Sequence, residues 1–380
     1  MRMDCVGRAG LVIAALGSIT STLDAQRVAS GTSKTGKTWQ AQSYIVGVNS
    51  TATIAGGGDS RYLAVQPAYS GVVTLIMNYG AAGSFICSGT LLPDRVSILT
   101  AAHCVTDGPT LARPISTTVF FPNSDADGLP SQGANVGSRS VTLYNVHPSY
   151  TGEVIDQNDI AVLRMSAPAP TSARAYGLFA GSNLTGTQFN VAGYGARSNA
   201  GGNLGANLGA GRLRQGQNRY DFRFGDADFD NFWVDLDANG ENFFGNAEIA
   251  YSYVSDFDNG RSANDASCRL AGALSLGGGK YCNLGLGLDE VGVAGGDSGG
   301  PQFINGQISS VTSYGLSFGA GFGDLEDVLN SSFGEFSGYV PVFIHTAFIN
   351  ASMVPEPATI VLMMTGLAAL GVIARRRRLF

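Results

Sequence analysis

The sequence predicts an all-β fold, and three observations support this. Glycine supplies 53 of the 380 residues and charged residues only 14%, which favours short strands and many turns over long charged helices. Short β-branched and apolar runs recur, each interrupted by Gly, Pro or Asp. Few stretches show helical periodicity. Together these features indicate a β-barrel or β-sandwich.

The expected strands begin near Tyr62 and continue towards the C-terminus. The segments that predict them are GVVTLIMNY, SFICSGTLL, VSILTAA, TTVFF, SVTLYNV, IAVLRM, FNVAGYG, QISSVTSYG and GYVPVFI. FIHTAFINASM, after the last of these, predicts one short helix. Residues 26–61 are rich in Ser, Thr, Gly and Gln, so we expect a leader or loosely ordered arm. Residues 199–260 predict extended acidic and glycine-rich surface loops, or an inserted hairpin.

The N-terminus has the layout of a secretory signal peptide over residues 1–25. Arg2 and Arg8 precede an apolar run from Ala9 to Ile19, and small and polar residues follow it up to Ala25. The apolar run is too short for a stable membrane span. We therefore expect an exported protein.

The C-terminus combines Val-Pro-Glu-Pro, an apolar run from Ala358 to Ala374 and an arginine cluster. The apolar run and the arginines by themselves predict a transmembrane anchor. The three parts in this order, residues 354–380, resemble the PEP-CTERM sorting signal of Gram-negative bacteria. This resemblance implies recognition by an exosortase-type enzyme, removal of the tail, and a place at the cell surface or in the extracellular matrix. Permanent membrane tethering is the alternative.

Charge and cysteine content limit the function classes. The net charge is −6 and the basic cluster, Arg375 to Arg378, is at the extreme end, so nucleic acid is not expected as a partner. Apart from Cys5, the four cysteines form two local pairs. In an exported protein an even number of this kind indicates two disulfides. Buried thiols in a cytosolic protein are the alternative, which both chain ends disfavour.

Three motifs contain the residue types of nucleophilic catalysis. Ser298 lies in GGDSGGP, His103 in LTAAHCV, and Asp159 in NDIAVLRM. A serine hydroxyl needs a base, and the base needs a third group that orients it. A bridge between Cys87 and Cys104 would fix the loop that carries His103. A carboxylate at the start of a buried strand, as at Asp159, would be held rigidly.

These motifs, in this order, resemble the trypsin/chymotrypsin-like serine protease family over residues 62–350. The resemblance implies two six-stranded antiparallel β-barrels with the site between them. It implies that Ser298 is the nucleophile, His103 the general base and Asp159 its orienting acid. The N–H groups of Gly296 and Ser298 would form the oxyanion hole. The chain order His, Asp, Ser is that of chymotrypsin-type enzymes.

The same resemblance implies how substrate binds. Ser313, Tyr314 and Gly315 correspond to a strand edge on which the substrate backbone pairs. A Cys268–Cys282 disulfide would close a loop beside the specificity pocket. The pocket base falls on Gly292, where an enzyme that cleaves after Lys or Arg has an aspartate. We therefore expect a small or medium apolar side chain in the pocket, unless Asp289 or Asp324 enters it.

In this family a newly cut N-terminus often pairs with the aspartate before the nucleophile, here Asp297. Two candidate cuts are Arg61–Tyr62 and Tyr44–Ile45. An internal donor that holds Asp297 is the alternative.

Metal binding is predicted only weakly. Asp235, Asp237, Asn239 and Gly240 match the first half of a calcium loop, but Asn246 stands where the loop needs a bidentate glutamate. Solvated acidic loops are the alternative. No cofactor is required for the predicted chemistry.

The sequence thus predicts a monomeric, exported serine endopeptidase that acts on proteins or peptides. A catalytically silent surface or adhesion module, or an esterase with the same residues, remains the alternative.

Overall fold

The computed structural model describes residues 28–32, 38–42, 45–108, 113–123 and 128–353. The predicted signal peptide (1–25) and the sorting segment (354–380) lie outside the described residues. Neither α-helix in the part that is described is long and apolar enough to cross a membrane.

The described residues contain seventeen strands and two α-helices. The strands are β1 Val28–Thr32, β2 Thr38–Gln42, β3 Val46–Gly47, β4 Val72–Asn78, β5 Ser84–Leu91, β6 Ser97–Thr100, β7 Ser116–Pro122, β8 Asn135–Val146, β9 Ala161–Met165, β10 Gln188–Gly193, β11 Arg214–Arg219, β12 Phe222–Arg223, β13 Tyr253–Asp256, β14 Val291–Gly292, β15 Pro301–Ile304, β16 Gln307–Ser317 and β17 Phe336–Pro341. The helices are α1 Ala266–Ala273 and α2 Thr346–Met353. Helix α2 confirms the short helix expected after the last strand.

Six consecutive strands form a closed antiparallel barrel in the order β4-β5-β6-β9-β8-β7. Leu75 of β4, Val119 of β7 and Leu163 of β9 are fully buried and belong to one apolar core. The segments that form these strands are the first six that the sequence predicted. They are rich in the β-branched and aromatic residues that pack well on a pleated, buried surface.

The remaining large sheet follows the path β11-β10-β15-β16-β17-β13-β12. Its two ends, β11 and β12, are separated only by Tyr220 and Asp221. The N–H of Tyr220 donates to Thr187, on the β10 side, and the N–H of Asp221 donates to Val254 of β13. Residues 214–223 thus act as one bent strand that passes from β10 to β13. Counted in this way, the sheet is a ring of six strands, and the all-β class with two barrel-like halves is confirmed.

Tyrosines fill the second half. The hydroxyl of Tyr220 lies 2.8 Å from Ser309 Oγ, and its ring contacts those of Tyr253 and Tyr339. Tyr314 is fully buried, and its hydroxyl lies 2.7 Å from Ser252 Oγ. Each buried phenol therefore has a polar partner, as the burial of such a group requires.

The N-terminal arm is more ordered than its composition suggests. Strands β1 and β2 form an antiparallel hairpin, and β2 adds to the edge of β16. Trp39 and Ala41 are buried, whereas Thr38 and Gln40 are exposed. The open edge of β16 supplies backbone partners that a free polar segment lacks, so the expected loosely ordered arm is replaced by strands at 28–32 and 38–42.

The expectation of surface loops over residues 199–260 is also wrong in part. This stretch supplies β11, β12 and β13 of the second half. Its aromatic residues are largely internal: Trp233 is fully buried, and it contacts Phe224 and Phe244. Many of the aromatic residues that alternate with aspartates in the sequence form a second hydrophobic core, while Asp228, Asp230 and Asp235 are exposed.

We predict that Gly338→Ala destabilises the second half. A Cβ at Gly338 would lie 2.2 Å from the ring of Tyr314, whose hydroxyl is already fixed by Ser252. Overpacking of this kind should lower the free energy of unfolding by about 2 kcal/mol. Gly272→Ala in α1 is the control, because a Cβ there meets no atom within 4 Å. Urea unfolding of both variants measures the difference, and equal midpoints would contradict the packing argument.

Candidate active site

His103 is held by a disulfide and a short turn. The Cys87–Cys104 disulfide forms as predicted, and it joins β5 to the 3₁₀ turn Ala102–Cys104. This turn follows β6 directly, so the barrel wall fixes both ends of the connection. His103 is buried, with 6% of its surface exposed.

The structure brings His103 and Asp159 together. Nδ1 of His103 lies 2.6 Å from Oδ2 of Asp159, and the His103 backbone N–H donates to Oδ1 at 2.8 Å. Asp159 is the residue just before the buried segment that leads into β9. The two contacts fix both the position and the orientation of the imidazole, and Nδ1 must carry the proton that the carboxylate accepts.

Ser313 completes the surroundings of Asp159. Its Oγ donates to Oδ2 of Asp159 at 2.6 Å. Burial raises the pKa of Asp159, but the nearby His103 charge and the hydrogen bonds from His103 and Ser313 outweigh burial and hold this pKa below its usual range. Asp159 is therefore an ionised carboxylate in the interior.

The loop before Asp159 is fixed from two sides. Asp156 accepts hydrogen bonds from the N–H and hydroxyl of Thr151, both at 2.8 Å, and burial raises its pKa to about 6. Nε2 of His345, near the C-terminal helix, donates to the carbonyl of Gln157 at 2.8 Å. His147 stacks edge-on against His345. These residues support the loop and do not touch the imidazole of His103 in the described contacts.

Ser298 lies on a loop packed against the first barrel. Its carbonyl accepts from the N–H of Ser88 at 2.8 Å, and it lies 3.7 Å from Sγ of Cys104. The same sulfur lies 4.0 Å from Nε2 of His103. Among the described residues, Oγ of Ser298 has no hydrogen-bond partner, so the structure brings Ser298 to the site without a closed Ser298–His103 hydrogen bond.

The backbone around Ser298 forms a pair of free donors. Gly296 has φ +94°, a backbone conformation that residues other than glycine rarely adopt. Ser88 Oγ donates to the Gly296 carbonyl at 2.9 Å and so turns that peptide. In the described part of the chain, the N–H groups of Gly296 and Ser298 meet no acceptor. They are thus available to a negatively charged oxygen.

Asp297 is held by internal donors, as one of the alternatives predicted. The N–H groups of Gly195 and Ala294 donate to its carboxylate at 2.7 and 2.9 Å. Nearby, the guanidinium of Arg214 is buried and donates to the carbonyls of Ile45 and Gly195. Burial lowers the pKa of Arg214 to about 10, while the charge of Asp297 acts in the opposite direction.

The two candidate activation cleavage sites, Arg61–Tyr62 and Tyr44–Ile45, lie in different surroundings. Tyr62 is 1% exposed, and its hydroxyl donates to the carbonyl of Leu288 at 2.7 Å. The residue that follows the Arg61–Tyr62 bond is therefore packed in the folded domain. Tyr44 lies outside the described residues. Ile45, which follows it, is fully buried.

The predicted pocket-base residue lies in a buried strand. Gly292 pairs with Val46 across β14 and β3, and a Cβ on it would lie 3.1 Å from the ring of Phe257. Asp289 is at the surface in an ion pair with Arg61. Asp324 is buried, and its carboxylate accepts from the hydroxyl of Ser317 at 2.5 Å and from two backbone N–H groups. Each carboxylate thus has partners of its own.

The predicted substrate edge is partly occupied. Ser313, Tyr314 and Gly315 all lie on β16. Gly315 pairs with Gln42 of β2, and Tyr314 points into the core. The chain's own β2 therefore takes the place at which an added strand was expected.

Two further predictions concern loops. The Cys268–Cys282 disulfide forms as expected. In the weak calcium candidate, Asp237 Oδ1 accepts from the N–H groups of Asn239 and Glu241, while Asp235 is exposed. Calcium at this loop stays a prediction.

Sequence reasoning missed two supporting residues, Ser88 and Arg214. Ser88 binds the backbone of both Gly296 and Ser298. It follows Cys87 directly, which is the one signal that could have indicated it. Arg214 lies in the polar segment RQGQNR and has no such signal.

Two protein-family models match parts of this chain. The trypsin family matches residues 64–220, and the PEP-CTERM protein-sorting motif matches residues 354–378. Among solved structures, neuropsin, a serine protease expressed in the limbic system of mouse brain, is 17% identical, with a TM-score of 0.47. The match covers 76% of this chain and 96% of that chain. The comparison with curated proteins gave no match.

The family match confirms the predicted resemblance to the trypsin family for residues 64–220, a segment that contains His103 and Asp159 and ends before Ser298. The chain also carries a PEP-CTERM sorting motif, which indicates an exported, surface-sorted protein.

We predict that Asp297→Asn destabilises the fold. The buried carboxylate accepts two backbone N–H groups and its charge acts against the effect of burial on Arg214, so loss of that charge should cost about 3 kcal/mol. Asp289→Asn is the control, because its ion pair with Arg61 is at the surface and should contribute less than about 1 kcal/mol. Urea unfolding checks both values, and equal losses would contradict a structural role for Asp297.

Proposed function

We propose that this chain is an exported serine endopeptidase. One observation carries the proposal: the buried His103–Asp159 pair, with Nδ1 and Oδ2 2.6 Å apart, lies at the same junction as Ser298 and two unused backbone N–H groups. A binding module has no need of this combination. The reaction is acyl transfer and requires no cofactor.

The proposal assigns each of these groups a role in the reaction. Oγ of Ser298 attacks the substrate carbonyl carbon and its proton passes to Nε2 of His103. The N–H groups of Gly296 and Ser298 stabilise the oxyanion. The C–N bond then breaks as Nε2 returns the proton to the leaving amine, and water hydrolyses the acyl-enzyme by the same route. Asp159 orients His103 and stabilises its charged form, and Ser313 positions Asp159.

The absence of a carboxylate at Gly292 favours a substrate with a small or medium apolar side chain at the cleaved bond. Ser313, Tyr314 and Gly315 supply the edge for the substrate backbone. The substrate is a protein or peptide, and the protein acts as a monomer. Export through the signal peptide 1–25 and processing of the tail by an exosortase-type enzyme, in a Gram-negative bacterium, complete the proposal.

We predict that a fluorescent fluorophosphonate labels the wild-type protein and does not label Ser298→Ala. Asp159→Asn should lose about four orders of magnitude in peptide hydrolysis, because His103 is then held in the wrong tautomer. Ser138→Ala, at an exposed serine, is the matched control and should label like the wild type.

Folded wild-type protein that does not label would contradict the proposal and favour a catalytically silent surface module. Labelling together with ester but no peptide hydrolysis would favour an esterase.

A further inference from the structure

Five carboxylates are buried together beside the second barrel-like half. Asp256 ends β13, Asp258 follows it, and Asp265 precedes α1. Asp221 and Glu290 adjoin this group. Each of the five is at most 4% exposed. Oxygens of Asp256, Asp258 and Asp265 all lie within 4.8 Å of one another.

Ion pairs do not neutralise this group in the described part of the chain, although the charge of Arg219 acts on Glu290 against the effect of burial. Among the described residues, no lysine or arginine forms an ion pair with any of the five. Some of the oxygens are held by backbone N–H groups: Ser267 donates to Asp256 and Cys268 donates to Asp265, at 2.8 and 2.9 Å. These contacts at the start of α1 fix the two side chains but do not neutralise five acids.

The unpaired carboxylate of Asp258 is a separate observation that indicates a bound ligand. It is 2% exposed, and neither of its carboxylate oxygens has a hydrogen-bond partner among the described residues. Its backbone N–H donates to Glu290 at 2.7 Å, so the side chain is held in place while its oxygens are unused. A buried carboxylate without a partner is strongly unfavourable unless it is protonated or binds a cation.

The donor set selects the type of cation. All the unused atoms are carboxylate oxygens, which hard divalent cations prefer. The neighbouring sulfurs of Cys268 and Cys282 are joined in a disulfide and cannot bind a soft metal. Calcium accepts six to eight oxygens at 2.3–2.6 Å in irregular geometry, and oxygens that bind one such ion lie within about 5 Å of each other.

We propose that Asp256, Asp258 and Asp265 bind one calcium ion, with Asp221 and Glu290 adding negative charge around it. A divalent cation would supply the positive charge that these buried carboxylates need. This site differs from the calcium loop suggested by the sequence at Asp235, Asp237 and Asn239.

A calcium ion at this position would stabilise the wall of the predicted specificity pocket. Glu290 directly precedes β14, which carries Gly292, and Phe257 lies between two of the ligands and against Gly292. Calcium would therefore join the end of β13, the start of α1 and the strand of the predicted pocket base. Its loss should loosen this wall without touching His103 or Ser298.

The test measures calcium binding to the full chain after removal of metal with a chelator. We expect one calcium ion per chain by equilibrium dialysis and a rise in Tm of about 5 °C or more at saturating calcium. Asp258→Asn should lose both effects, whereas Asp235→Asn, in the exposed loop, should keep both. Magnesium at the same concentration should raise Tm less.

A wild-type Tm that does not respond to calcium overturns the proposal, and this result does not depend on any variant folding. Loss of binding in Asp235→Asn with full binding in Asp258→Asn also overturns it and assigns calcium to the loop. If Asp258→Asn is as stable as the wild type and calcium changes the Tm of neither protein, the carboxylates are protonated instead of binding calcium. This result also overturns the proposal.

A second observation concerns β2. Residues Gln40, Ala41 and Gln42 pair antiparallel with Ser317, Leu316 and Gly315 of β16. The fully buried Ala41 and the nearly buried Trp39 anchor this strand in the aromatic core, where Trp39 meets Phe244 edge-on at 5.1 Å.

An added substrate strand needs the same backbone edge at Gly315. We infer that β2 is an internal inhibitor that competes with substrate for this edge, an inference that depends on the proposed protease function. Since the contact is intramolecular, a modest docking free energy is enough to keep the edge covered.

Kinetics of the full chain test this inference. Trp39→Ala removes the aromatic anchor, and we expect KM for a peptide substrate to fall about tenfold or more with kcat unchanged. Gln40→Ala, on the exposed face of β2, is the control and should keep the wild-type KM. Fluorophosphonate labelling should be equal in all three proteins, since the small probe does not need the strand edge.

If the wild type, Trp39→Ala and Gln40→Ala label equally and have the same KM, β2 is not an inhibitor, and the proposed protease function still stands. If none of the three proteins labels, the proposed protease function itself fails. If Trp39→Ala does not fold, hydrogen exchange in the wild type decides. A bound peptide-based inhibitor should expose the amides of residues 38–42, and unchanged protection overturns the inference.

Discussion

The ionised carboxylate of Asp159 is the interaction on which the site depends. It accepts from the backbone and the ring of His103, which follows β6 of the first barrel, and from Ser313 of β16 in the second half. A buried charge must have such donors. Because they come from both halves, the carboxylate also fixes how the two halves meet, and with them the position of the imidazole.

Buried charge is balanced differently elsewhere in the second half. Asp297 accepts hydrogen bonds from two backbone N–H groups, and its charge acts on the buried Arg214. These two hydrogen bonds hold the loop before Ser298 in the uncut chain. At Asp258, by contrast, neither carboxylate oxygen has a hydrogen-bond partner among the described residues, and this is the physical reason for assigning calcium there.

Strand β16 connects these features. Its start lies in the tyrosine-rich core, Ser313 touches Asp159, and Gly315 pairs with β2. A strand edge that accepts a substrate can also accept another extended segment whose side chains pack against the core. Trp39 and Ala41 of β2 are such side chains. One strand thus holds the orienting acid of the site and carries the surface that the chain itself covers.

The all-β class, the strands rich in β-branched residues, the disulfides and the motifs around His103, Asp159 and Ser298 could be predicted from the sequence, because these signals are local. It could not reveal β11, since RQGQNR has no apolar pattern and its Arg214 is buried only through contacts with distant carbonyls. It could not place the arm on β16 or gather Asp221, Asp256, Asp258, Asp265 and Glu290. These features depend on folding, because folding brings segments that are distant in the sequence together and removes them from water.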